Sequence, residues 1–157
     1  MRLSNRSKVP IYNFTNTLLL MVLLGGIIAF LLEEYKFNIL GFESYLLIIA
    51  PLLLLIFFYL NGRQIFEYDS DGEAVHFKNR NIMPFLSKSL SDEFPKYKLI
   101  KYDVVTIFFI KRLYLTISSK NSGSTMLKYE ISYLTKKEVN DLKFSLNKIV
   151  KANKERR

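Results

Sequence analysis

The chain has 157 residues, half of them hydrophobic and 24% charged, with a formal net charge of +9. These averages conceal two populations: residues 1–60 hold 39 of the apolar and aromatic set, or 65%, and residues 61–157 hold the other 39, or 40%. The split excludes a disordered chain, a fibrous repeat and one soluble core of the whole length. With no cysteine and a single histidine, His76, disulfides, thiolate sites, cysteine nucleophiles and multi-histidine metal clusters are excluded as well.

Residues 1–13 form a basic N-terminus. Arg2, Arg6 and Lys8 stand there without an acid before residue 17. Leu18 to Leu32 then runs 15 residues without a charge, and 19 if it is extended back to Phe14. As a helix, 19 residues span about 28 Å, close to the roughly 30 Å hydrocarbon core of a bilayer. A short acidic stretch follows, with Glu33, Glu34 and Glu43 against Lys36. The second apolar run is Tyr45 to Leu60, or residues 42–60 with Glu43 at the water edge. Residues 14–60 therefore read as a transmembrane hairpin with helices over 14–32 and 42–60. Two core helices apolar on every face would need a far larger soluble body around them. A cleaved signal peptide fits poorly, because Glu33-Glu34-Tyr35-Lys36 offers no small-residue cleavage site.

Positive charge marks the cytoplasmic side of a membrane. The basic N-terminus, Arg63 after the second run and the acidic loop between the runs place both termini and residues 61–157 in the cytoplasm. Tyr12, Tyr35, Tyr45 and Tyr59 lie near the four ends of the runs, as an aromatic belt would. The interior of the runs holds no Asp, Glu, Lys, Arg or His, which argues against a transporter or pump. Gly25 and Ala29, four apart, form a small-residue face for helix packing, either within the hairpin or against a partner or second copy. Pro51 is expected to kink the second helix.

Residues 61–150 change to period two. Phe66 and Tyr68 alternate, as do Val75 and Phe77, around a Ser70-Asp71-Gly72 turn. Asn81 to Pro95 reads as a polar connection with a short strand around Phe85 to Leu90. Leu99 to Ile110 reads as one or two strands. Leu113, Leu115 and Ile117 alternate next, then a turn at Asn121-Ser122-Gly123, then Leu127, Tyr129, Ile131 and Tyr133. The period then becomes helical: Val139, Leu142, Leu146 and Ile149 form one apolar stripe. Thr135 followed by Glu138 is a capping box at its start. Residues 151–157 form a basic tail.

This order resembles the bacterial pleckstrin-homology-like (PH-like) domains that are attached to membrane hairpins. The likeness rests on residues 99–107 (LIKYDVVTI) and on Tyr114 to Val150, with its Ser-Tyr-Leu-Thr-Lys-Lys junction and following helix. It implies an antiparallel barrel of about seven strands in a β-rich α+β domain, closed at one end by the C-terminal helix through Val139, Leu142, Leu146 and Ile149. It also implies a bacterial inner-membrane location.

Chemistry-bearing patterns are sparse. No phosphate loop, zinc-protease or serine-hydrolase signature is present, so no catalytic residue, metal site or cofactor is assigned. Asp69, Asp71 and Glu73 alternate as a weak cation site would, but the turn explains them. His76 faces opposite to Val75 and Phe77 and has no obvious partner. Phe108, Phe109 and Tyr114 beside Lys111 and Arg112 could stack on nucleic acid. A strand core with basic residues at its turn is the simpler reading, and no nucleic-acid partner is expected. The expected partners are the bilayer and a protein, with anionic-lipid contacts drawn from Arg2, Arg6, Lys8, Arg63, Lys78, Arg80, Lys151, Lys154, Arg156 and Arg157. Lys78-Asn79-Arg80 with Arg63 could form a specific headgroup or small-ligand site, although the adjoining turn is acidic. Solvated charge at a strand end is the simpler account of Lys78 and Arg80.

Overall fold

The computed structural model describes residues 1–83, 85–86, 88–119 and 123–155. They form seven strands and three α-helices: β1 (Arg2–Ser4), α1 (Val9–Leu32), α2 (Leu46–Leu60), β2 (Ile65–Asp69), β3 (Ala74–Arg80), β4 (Leu90–Pro95), β5 (Leu99–Ile107), β6 (Ile110–Ser119), β7 (Gly123–Glu130) and α3 (Lys136–Glu155). The chain divides into two units, one of Pro10–Leu60 and one of Met1–Val9 together with Asn61–Arg157.

The first unit is the helical hairpin. α1 begins five residues before the apolar run, with Pro10 in its first turn where the missing N–H costs nothing. With their flanking turns the helical stretches run Arg6–Phe37 and Gly41–Leu60, long and apolar enough to cross a membrane. Only 6% and 17% of their most apolar windows are buried, so neither is packed as a core helix. The loop between them is built by Glu33. Its buried carboxylate accepts from the backbone N–H groups of Ile39 and Leu40, and Asn38 takes a left-handed conformation at φ 46°. The acidic loop thus has a structural use of its own. At the open end of the hairpin the Tyr59 hydroxyl donates to Asn16 Oδ1. Tyr12 is buried, Tyr35 is 85% exposed and Tyr45 rests on Phe30 and Phe42, so the four tyrosines have unlike surroundings.

The close contact of the hairpin is made by Gly26, not Gly25. A Cβ on Gly26 would stand 2.1 Å from the Leu47 carbonyl oxygen, whereas Gly25 has no atom within 4 Å of that position. Pro51 supplies the reason. It is four residues after Leu47 and has no N–H, so it leaves the Leu47 carbonyl without its helical donor. That carbonyl lies against α1 where only a glycine admits it.

The second unit is β-rich. Its strands form two antiparallel sheets, β1-β2-β3-β4 and β5-β6-β7. Among the described residues no ladder joins them, so the expected single barrel is instead a pair of sheets. Within the basic N-terminus, Arg2–Ser4 is an edge strand paired with β2, through Arg2↔Asp69, Leu3↔Tyr68 and Ser4↔Glu67. The physical reason is Leu3, which alternates between two polar residues and enters the core at 8% exposure. The expected strand at 85–90 lies later, at Leu90–Pro95. Phe94 is the inward aromatic there and Phe85 is 81% exposed. The turn at Asn121-Ser122 lies outside the described residues.

Phe66, Tyr68, Val75, Phe77, Leu113, Leu115 and Tyr129 fill the space between the sheets, and Val139, Leu142 and Leu146 of α3 join them. Ile149, the fourth member of the stripe, is only partly buried. Phe77 stacks on Tyr129 at 4.8 Å between centroids and on Phe94 at 5.9 Å. The capping box forms as the spacing predicts. Thr135 Oγ accepts from the Glu138 N–H at 3.2 Å, and Glu138 Oε2 accepts from the Thr135 N–H at 2.6 Å.

Candidate functional site

The basic residues named from the sequence do different jobs. Arg2 Nε lies 2.8 Å from Asp69 Oδ2 and 3.3 Å from Asp71 Oδ2. Asp69 also accepts the Asp71 N–H at 2.9 Å, and this bond, with Arg2 beside it, holds the Asp69 carboxyl below its usual range. The Met1 amino group pairs with Asp71. Two acids of the Asp69-Ser70-Asp71-Gly72-Glu73 turn are thus engaged by the chain's own N-terminal cations. Lys8 is committed as well, with its ammonium 2.9 and 3.1 Å from the two Glu138 oxygens. Burial pushes the Glu138 carboxyl up, but the Thr135 N–H, the Thr135 hydroxyl and Lys8 outweigh it and hold the carboxyl low.

Arg63, Lys78 and Arg80 are placed separately. Arg63 donates its backbone N–H to Glu130 Oε2 at 2.8 Å. Its side chain lines a cleft of about 380 Å³ between the edges of β4 and β7, together with Asp92, Lys128 and Glu130. Neither Lys78 nor Arg80 lines that cleft. Lys78 is exposed on the outer face of β3, opposite Glu67 and Ser91. Arg80, two residues on, is half-buried, and its Nε has no hydrogen-bond partner among the described residues. Arg6, Lys151 and Lys154 are exposed. Arg156 and Arg157 lie outside the described residues.

His76 has a partner that the sequence did not suggest. The β3–β4 register sets it opposite Glu93, with Nε2 3.5 Å from the carboxylate. The cleft edge carries one shielded group. Tyr129 donates to Asp92 Oδ2 at 2.7 Å, and burial followed by that bond holds its proton far above the ordinary tyrosine range. Among the described residues no group of three or more His, Asp or Glu is placed to hold a metal ion.

Two features escaped the sequence reading. One is a set of buried polar side chains. Asn79, fully buried, donates to the carbonyls of Ile65 and Glu130 at 3.1 and 3.0 Å and accepts the Glu130 N–H at 3.0 Å. It therefore ties the first sheet to the second where no ladder does. Asn5, also buried, donates to the Gln64 carbonyl at 2.6 Å and accepts the Phe66 N–H at 2.8 Å. The other feature is the β5–β6 turn. Phe108 and Phe109 are not strand core: they are 92% and 66% exposed at its tip.

Compared with protein-family models, with curated proteins and with solved structures, the chain matches none.

Proposed function

We propose that this chain is a non-enzymatic integral-membrane module of bacterial PH-like type. In this reading the helical hairpin anchors the β-rich domain at the cytoplasmic face of the inner membrane, where it meets a protein partner or anionic lipid. One observation carries the reading: β1, which precedes α1, pairs with β2, which follows α2. Both ends of the hairpin therefore return to one folded unit. A chain that crosses a bilayer twice does this naturally, and one that crosses once does not. The basic flanks favour the cytoplasmic side. Two antiparallel sheets followed by an amphipathic helix packed on the same core are in keeping with the PH-like resemblance. Arg2 and Lys8 are spent on internal pairs, so of the cations named from the sequence Arg6, Lys78, Lys151 and Lys154 are the described, exposed ones left to meet anionic headgroups. Near such a surface each contributes about 1 kcal/mol.

The test is membrane extraction combined with a topology reporter fused after Arg157. The protein is expected to stay in the membrane pellet at alkaline pH, with the reporter active only in the cytoplasm. Release into the supernatant, or activity only outside the cytoplasm, overturns the reading.

A further inference from the structure

The β5–β6 hairpin outruns the core that supports it. Leu99, Tyr102 and Val104 face inward and are buried or half-buried, but from Val105 to Phe109 every residue is exposed on whichever face it lies. Val105, Ile107, Phe108 and Phe109 expose 40%, 55%, 92% and 66% of their surface. Four large apolar side chains within five residues at a loop tip are unlike the scattered exposed hydrophobics of an ordinary surface.

The turn is also conformationally costly. Ile107 pairs with Ile110, which leaves a two-residue loop of Phe108 and Phe109. Phe108 takes φ 52°, a region that glycine or asparagine occupies at little cost and a phenylalanine does not. A polar Gly-containing turn would close the hairpin with less strain and better solubility. The sequence instead keeps two aromatic rings at a strained, protruding position, which is where function is sought.

Residues 104–112 hold two cations, Lys111 and Arg112, and no acid. Both are half-buried: Lys111 Nζ reaches the Leu134 carbonyl at 3.4 Å, and Arg112 stands opposite Glu130 in the β6–β7 register. An apolar aromatic tip backed by cations is complementary to an anionic lipid interface, which takes rings at headgroup depth and attracts basic groups behind them. Such an interface would be close at hand. The β-rich unit is joined to the apolar helices by two short links, with α1 starting five residues after β1 and β2 starting five residues after α2. That double tether gives the tip a high effective concentration at the bilayer.

We propose that the β5–β6 tip inserts Phe108 and Phe109 into the interfacial layer of the membrane that carries the hairpin, as a third, non-spanning contact. The proposal rests on the membrane-anchored reading above. Its test must therefore fail separately from that reading.

The chain contains no tryptophan, so one introduced tryptophan reports alone. Phe108→Trp, Phe109→Trp and, in α1, Leu24→Trp are made singly in the full chain. Each is reconstituted into vesicles of phosphatidylcholine and phosphatidylglycerol, with and without brominated acyl chains. The expected result is loss of most tryptophan emission in brominated vesicles for all three, with quenching at Phe108 and Phe109 strongest for bromines high on the chain. Leu24→Trp quenched while both tip probes emit as in water overturns the insertion and leaves the tip to a protein surface. If none of the three is quenched, the membrane reading and the insertion fall together. The two tip variants guard against misfolding of either one, and circular dichroism of each confirms the fold.

Discussion

Asn79 shows how much one side chain can hold. It makes three hydrogen bonds to main-chain groups of Ile65 and Glu130, and those residues belong to different sheets. Leaving a buried backbone group unsatisfied costs about 1–3 kcal/mol. Asn79→Ala strands three such groups and opens a void, so a loss of roughly 3 kcal/mol or more is expected. For a domain of this size that lowers the midpoint of thermal unfolding by more than about 10 °C. Near-UV circular dichroism, to which the packed Tyr68 and Tyr129 of the β-rich core contribute, is the measurement, and an unchanged midpoint refutes the bridging role. Glu138 gives a pH dependence of definite sign. Its carboxyl is held below the ordinary 4.5 in the folded chain. The stability it contributes is therefore fully present above about pH 4.5 and is lost as pH falls through the lower folded value. Unfolding midpoints measured from pH 6 down to pH 3 should fall less steeply for Glu138→Gln than for the unaltered protein. Neither residue was equally legible. The Thr135–Glu138 box could be read because its partners are three residues apart. Asn79 could not, because its partners lie 14 and 51 residues away and its neighbours in sequence, Lys78 and Arg80, draw attention to charge.

Elements were legible where one face decides the pattern. The period-two runs of β2, β3 and β6 and the 3.6-residue stripe of α3 all fell where their apolar spacing put them, because each buries one face in the shared core. β1 went unread because a three-residue strand carries only one inward residue, Leu3. The tip of β5 and β6 was misassigned because an apolar run looks the same whether or not core lies beneath it. In the apolar helices periodicity carries no information, since every face is apolar, so the choice between Gly25 and Gly26 could not be made from spacing. It follows from the Pro51 gap and the carbonyl it frees. Gly26→Ile is thus expected to separate α1 from α2, while Gly25→Ile, pointing into open space, is expected to leave the hairpin intact. Cysteine pairs placed at Asn16 and Tyr59, whose side chains touch, report this directly in a chain with no native cysteine. Crosslinking should survive Gly25→Ile and drop severalfold with Gly26→Ile. Equal yields in both backgrounds would remove Gly26 from the interface. At the start of α3, Thr135→Ala is expected to cost about 1 kcal/mol. Removing Lys8 in the same chain should show coupling to that loss, because Lys8 binds the carboxylate the box also uses.

At the scale of the molecule, β1 and β2 are a β-hairpin whose loop has been replaced by residues 5–64. Closing a flexible loop of sixty residues rather than four costs about 2.4 kcal/mol more by chain statistics. The helical insertion reduces that cost, because α1 and α2 run back together and the Asn16–Tyr59 bond holds their open end. The β-rich unit in turn depends on what precedes the insertion. Leu3 is part of its core, and Asn5 satisfies the Phe66 N–H and the Gln64 carbonyl. Burying a leucine contributes roughly 1.5–3 kcal/mol, and the two Asn5 bonds add about 1–3 kcal/mol each when their loss strands buried groups. Together these approach the whole stability of a small domain, typically about 5–15 kcal/mol. Residues 61–157 alone should therefore be far less stable than their length and composition suggest. Joining residues 1–5 to residues 64–157 through a linker of about four glycines and serines should restore stability, because Asn5 and Gln64 are already in contact and short hairpin loops close readily. Urea unfolding of the two variants decides the matter. The linked form is expected to unfold in one cooperative transition, and the form without residues 1–5 at a much lower midpoint or with no transition at all. Equal midpoints would mean that the N-terminal strand contributes little, and that the fold of residues 61–157 is complete without it.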